Sequence, residues 1–155
     1  MKPRVLQCDP LQSFVPLSWA IKEIQGTNYS HYAIQFGNII IDVRGKGFNI
    51  YPSYEFHKLY NIVGDYEMPF SIEPLQFLNW ISAYSVVTYG AMQLLGNMLI
   101  LLKMVKTNPF GSGKEKLTCC ELVVYMLRDF CSDMELRDTD DYDLLSTEEL
   151  LMEII

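Results

Sequence analysis

The chain has 155 residues, half of them apolar, and a net charge of −7, which suits one domain over residues 1–155 with a hydrophobic core and excludes a disordered chain. The charge is uneven: residues 1–128 carry eleven Lys and Arg against nine Asp and Glu, and residues 129–155 carry one against ten. A near-neutral body offers no clustered positive charge for phosphate contacts, so nucleic-acid binding through a basic surface is unsupported, and the acidic end reads as a solvated face.

Residues 1–14 are short of periodicity. Cys8-Asp9-Pro10 reads as a turn, with Val5-Leu6 as a brief strand at most. Pro16 at a first helical position, Leu17, Ala20, Ile21 and Ile24 at helical spacing, and Gly26 as a stop predict a short amphipathic helix. Ser30 to Phe36, then Gly37-Asn38, then Ile39 to Arg44 reads as a β-hairpin with a two-residue turn. If Phe36 faces Ile39, then Ala33 faces Asp42 and His31 faces Arg44, so His31, Ala33, Ile40 and Asp42 project from one side of the sheet. His31 and Asp42 are then diagonal neighbours, close enough for a carboxylate to hold an imidazole in one orientation. The competing reading is a half-buried strand histidine beside an unrelated acid, and a one-residue bulge would send Asp42 to the opposite face.

Gly45-Lys46-Gly47 turns the chain, Phe48 to Tyr51 adds a strand before Pro52, and Asn61-Ile62-Val63 suggests another. His57 has no acid at a matching hairpin position and reads as surface or packing. Residues 74–105 are the most hydrophobic part. Pro74 opens a helix through Leu75, Leu78 and Ile81, and a second apolar segment runs from Tyr89 to Val105, with a break around Val86-Val87 and Gly90. The run from Val86 to Leu102 is short for a membrane span and carries Thr88, Gln93 and Asn97, so buried core is the expectation, with membrane or lipid contact through residues 86–105 as the alternative. Thr107 to Lys114 is a loop by composition.

Thr118 and Glu121 form a T-x-x-E capping box, so a helix starts at Cys119. Cys119, Leu122, Val123, Met126, Leu127 and Phe130 fall on one apolar face. The free amides and the positive end of the helix dipole favour a thiolate at Cys119, the reactive form of cysteine; the other reading of Cys119 is a small core residue. Cys120 is turned away by about 100°. Beyond Phe130 come Asp138, Asp140, Asp141 and Asp143, and then Ser146 with Glu149 in a second capping-box spacing ahead of Leu150, Leu151 and Ile154, which predicts a short terminal helix. Cys8, Cys119, Cys120 and Cys131 show no metal-type spacing and follow no charged-then-apolar leader, so reduced thiols in a cytoplasm and no metal site are expected.

Taken in this order, Ser30-His31-Tyr32-Ala33-Ile34, Ile40-Ile41-Asp42-Val43 and Cys119-Cys120-Glu121-Leu122-Val123 resemble the motifs of the circularly permuted papain-like cysteine hydrolases, the group of NlpC-like amidases, YiiX-type proteins and relatives of lecithin:retinol acyltransferase. The family pattern is a strand with S-H and apolar residues, a next strand carrying a polar residue, and much later a helix beginning C-S-E-L-V; Cys120 stands here in place of that Ser. The resemblance implies an α+β fold in which an antiparallel sheet packs against the cysteine helix. It also implies Cys119 as nucleophile, His31 as general base and Asp42 as the orienting residue, in hydrolysis or transfer at an amide, ester or thioester bond of a peptide or acyl substrate, without a cofactor. A Cys-His pair of this kind needs the thiolate beside an imidazole that takes its proton and later protonates the leaving group, with a third group fixing the ring. The competing class is a protein that keeps the fold but not the activity, for instance a structural component of a phage particle. Oligomeric state is not readable from the sequence.

Overall fold

The computed structural model describes residues 1–11, 16–44, 47–84, 88–89, 116–131 and 144–155. Its centre is a five-stranded antiparallel sheet built from β1 (Arg4–Pro10), β2 (His31–Phe36), β3 (Ile39–Arg44), β4 (Gly47–Pro52) and β5 (Tyr60–Glu67), in the spatial order β4-β3-β2-β1-β5. The helices are α1 (Pro16–Gln25), the single turn α2 (Ser53–Phe56), α3 (Pro74–Tyr84), α4 (Cys119–Phe130) and α5 (Leu144–Ile154). A short parallel pair joins β6 (Thr88–Tyr89) to β7 (Lys116–Leu117) just ahead of α4.

The hairpin has the expected register. Phe36 pairs with Ile39, Gln35 with Ile40 and Ile34 with Ile41, and Gly37 takes the positive φ of 59° that a two-residue hairpin turn requires. Period-two alternation then divides the core. One face carries Val5, Tyr32, Ile34, Ile41 and Val43 against α4 and α5; the other carries Leu6, Cys8, Ala33 and Ile40 against Phe56 and Tyr60. The helix α4 is buried all round from Cys119 to Leu127 and not along one stripe only. Fully burying side chains such as Leu122, Val123 and Met126 contributes about 2 kcal/mol each.

A bulge in β5 has a direct effect on the site. Gln7 pairs with Gly64 but Cys8 with Ile62, leaving Val63 as an extra residue. Tyr60 and Tyr66 are an even number of residues apart and would otherwise share a face. The bulge splits them, so that Tyr66 packs with the α4 side and Tyr60 with Cys8 and Phe56. A Cβ at Gly64 would meet the Gln7 side-chain amide and displace it from the Tyr32 and Tyr66 hydroxyls, which it hydrogen-bonds at 3.3 and 3.2 Å.

Four expectations change. Cys8-Asp9-Pro10 is no turn but the end of a seven-residue strand held on both sides by β2 and β5. In α3, Leu75 and Leu78 are 69% and 54% exposed, and the buried face is Phe77, Trp80 and Ile81, because Trp80 and Tyr84 dock on α4 through Asp129 at 3.0 Å each. The terminal helix starts at Leu144, so Ser146 lies inside it and is not its cap. On α4, the single apolar stripe gives way to burial on every side. The segment 90–115, with Gln93, Asn97 and the loop Thr107 to Lys114, and the acidic run Asp138 to Asp143 lie outside the described residues, as does the break at Val86-Val87 and Gly90. Among the described residues no helix is long and apolar enough to cross a membrane.

Candidate active site

The helix start is built as its sequence predicts. Thr118, in extended conformation, accepts a hydrogen bond from the Glu121 amide at 3.3 Å, and the Glu121 carboxylate accepts one from the Thr118 amide at 2.6 Å. Cys119 is therefore the first residue of α4, with its sulfur at the positive end of the helix. It belongs to the core on the α4 side of the sheet. At the end of the sheet where β2 begins, it meets His31.

The structure brings Cys119, His31 and Asp42 together. The His31 Nε2–H donates to Asp42 Oδ2 at 3.0 Å, which leaves Nδ1 as the ring's other nitrogen. The Cys119 sulfur and the imidazole are near enough to stabilise each other's charged form, and Cys120 and the Tyr32 backbone also favour the thiolate. Cys120 is thus a buried neighbour of Cys119, although helical geometry turns it partly away. Cys119 is 7% exposed, His31 8% and Asp42 0%.

Burial and charge compete at each group. The Cys120 hydrogen bond favours the Cys119 thiolate, burial opposes it, and the charge and hydrogen bond of His31 tip the balance, so the thiol is held well below its ordinary value. Burial lowers the pKa of His31, but the Cys119 anion and the Asp42 carboxylate outweigh it and push the imidazole up to about 9. The favoured state is a thiolate–imidazolium pair, the form a sulfur nucleophile requires. Cys8 lies directly opposite His31 across β1 and β2; burial first, and then the nearby Asp42 and Cys119, drive its thiol strongly up. His57, the other histidine, is exposed on the turn after α2.

Sequence reasoning missed three residues around this trio. Tyr60 stacks on the His31 ring with centroids 5.3 Å apart. Arg44 places Nε 3.3 Å from Asp42 Oδ2, donates from Nη1 to the Tyr60 hydroxyl at 3.0 Å and from Nη2 to the Tyr51 hydroxyl at 2.7 Å. Arg44 had a signal, since the hairpin register already set it opposite His31. Tyr51 and Tyr60 had none, because β4 and the bulged β5 had no readable register. Among the described residues, the buried Asp42 Oδ1 and Ser30 Oγ near this trio find no hydrogen-bond partner. Compared with family models, with characterised proteins and with solved structures, the chain gives no significant match to any of them.

Proposed function

We propose that this protein is a cysteine hydrolase of permuted papain-like architecture, acting on an amide, ester or thioester bond through an acyl-enzyme. The observation that carries the reading is one imidazole bound by a carboxylate at Nε2, 3.0 Å away, and close enough to a helix-start thiol for the two to shift each other's charge. The Cys119 thiolate attacks the carbonyl carbon of the substrate and forms the C–S bond, with the negative charge passing to the carbonyl oxygen. The amide of Cys119, first in α4, is the donor placed to receive that oxyanion. Collapse of the adduct breaks the bond to the leaving amine, alcohol or thiol, which takes the proton from His31. Water then attacks the thioester while His31 accepts its proton, the acid is released, and the same proton returns the pair to its starting state.

A second reading, a non-catalytic member of the same fold serving in an assembly, is favoured by the burial of Cys119 and His31 at 7% and 8% exposure. One experiment separates them. The purified chain is incubated with a p-nitrophenyl ester at neutral pH, with release followed by absorbance and the protein by mass spectrometry. The enzyme reading expects an acyl adduct on Cys119, loss of turnover in Cys119→Ser and His31→Ala, and retention of much of it in Cys120→Ser. An adduct on Cys120 or Cys131, full turnover in His31→Ala, or no adduct at all overturns it.

A further inference from the structure

Asp42 is fully buried, yet among the described residues both of its cationic contacts fall on one oxygen: His31 at 3.0 Å and Arg44 at 3.3 Å converge on Oδ2, while Oδ1 has no partner. In the reaction just described the imidazole gives up its proton once per turnover, to the leaving group of the acylation step, and is neutral until water returns one. At that moment Asp42 would be a buried carboxylate beside a neutral ring, an arrangement that costs several kcal/mol without another cation. Arg44 is the cation that does not leave: burial works against its charge, but the Tyr51 hydrogen bond and the neighbouring Tyr60 and Asp42 more than restore it.

We propose that Arg44 is a positioning residue of this site, a guanidinium that fixes both groups holding the imidazole, Asp42 at its edge and Tyr60 on its face. The inference rests on the cysteine-hydrolase reading and adds to it a residue outside the three quoted motifs. The planar fork makes three contacts at once, Nε to Asp42, Nη1 to Tyr60 and Nη2 to Tyr51, which a lysine's single ammonium cannot reproduce. Tyr60 reaches this position only because of the bulge at Val63. Among the described residues, the titratable and charged groups facing the imidazole and Asp42 are Cys8 on β1, Arg44 on β3, Tyr60 on β5 and Cys119 on α4, with Tyr51 on β4 behind Arg44. Burial holds the Tyr60 hydroxyl up at about 12 despite Arg44, and Cys8 stays a thiol, so neither changes charge across the range to be scanned.

The test is the pH profile of iodoacetamide alkylation of the whole protein, with the rate at Cys119 read by mass spectrometry. Wild type is expected to show a midpoint well below that of an ordinary thiol. Arg44→Met frees Asp42 and Tyr60, weakens the imidazole contact to the sulfur, and should raise the midpoint by about one pH unit or more, which is about a tenfold slower reaction on the acid side. Tyr60→Phe keeps the ring on His31 and removes only its anchor on Arg44, so it should shift the midpoint the same way by less, and it carries the test if Arg44→Met does not fold. Arg44→Lys should remain displaced from wild type. An unchanged midpoint in Arg44→Met and Tyr60→Phe, or full rescue by Arg44→Lys, overturns the positioning role and leaves the hydrolase reading standing; an ordinary midpoint in wild type overturns the hydrolase reading itself.

Discussion

Replacing Cys119 by serine should separate the His31 imidazole from the anion that supports it. In the wild type, burial lowers the His31 pKa while the Cys119 thiolate and the Asp42 carboxylate raise it, with a net rise from 6.5 to about 9. At about 1.36 kcal/mol per pH unit, that rise is roughly 3 kcal/mol in favour of the charged ring. A serine hydroxyl stays neutral, so burial and Asp42 remain and the thiolate's support is gone. Loss of an adjacent opposite charge is worth about one to three units, so the His31 ring protons should titrate about one to two units lower in a proton NMR titration, with the exposed His57 as the second resonance. The same change alters stability against pH. A histidine with a raised pKa contributes stability that is fully present below 6.5 and is lost as pH rises through about 9. Cys119, whose pKa is lowered, contributes stability that is present above 9.0 and is lost as pH falls towards its folded value. Between 6.5 and 9 the two contributions run in opposite directions, so the pair adds no slope to wild-type urea stability. In Cys119→Ser the histidine stands alone, and stability should fall as pH rises from 6.5 through its new midpoint. A His31 midpoint that stays within a few tenths of the wild-type value would refute the thiolate–imidazolium pair.

Two further outcomes are expected. Asp42→Asn leaves His31 and Arg44 without their shared anion and should lower urea stability by about 3 kcal/mol, the lower end for a broken buried pair because the Arg44 side chain is 31% exposed; a loss below about 1 kcal/mol would place Asp42 outside the polar core. Thr118→Val removes the acceptor for the Glu121 amide and should cost about 1 to 2 kcal/mol, with slower alkylation of Cys119 at pH 6 as the helix start loosens. Unchanged stability and rate would separate the capping box from the thiol.

The parts of the site that were legible in the sequence are those set by local chemistry. The capping box at Thr118 and Glu121 needs only residues three apart, and the hairpin register follows from Gly37-Asn38 once Phe36 meets Ile39. Together these placed His31 and Asp42 side by side and Cys119 at a helix start. Non-local choices were not legible. The strand β1 looks like a turn because of Asp9 and Pro10, and becomes a strand only through partners on both sides. The buried face of α3 was not legible: Leu75, Leu78 and Ile81 mark a helix without assigning its inner side, and the side that turns inward carries Phe77, Trp80 and Ile81, with Trp80 and Tyr84 bonded to Asp129. Tyr60 depended on a bulge at Val63, and nothing in its own neighbourhood signals that insertion.

The order of the strands also bears on when the proposed thiolate–imidazolium pair can form. The hairpin that carries His31 and Asp42 is a local unit and can close early, but β1 needs β5 as well as β2 on its flanks, and α4 is made long after all of them. Contacts between such distant segments form late because the intervening loop must first be closed. A Cys119 that has just been synthesised therefore meets no imidazole and behaves as an ordinary thiol, and the proposed thiolate–imidazolium pair forms only when α4 docks at the end of β2. On the hydrolase reading, the lowered pKa of Cys119 is thus a product of completed folding, while a partly folded molecule exposes four cysteines of ordinary thiol reactivity.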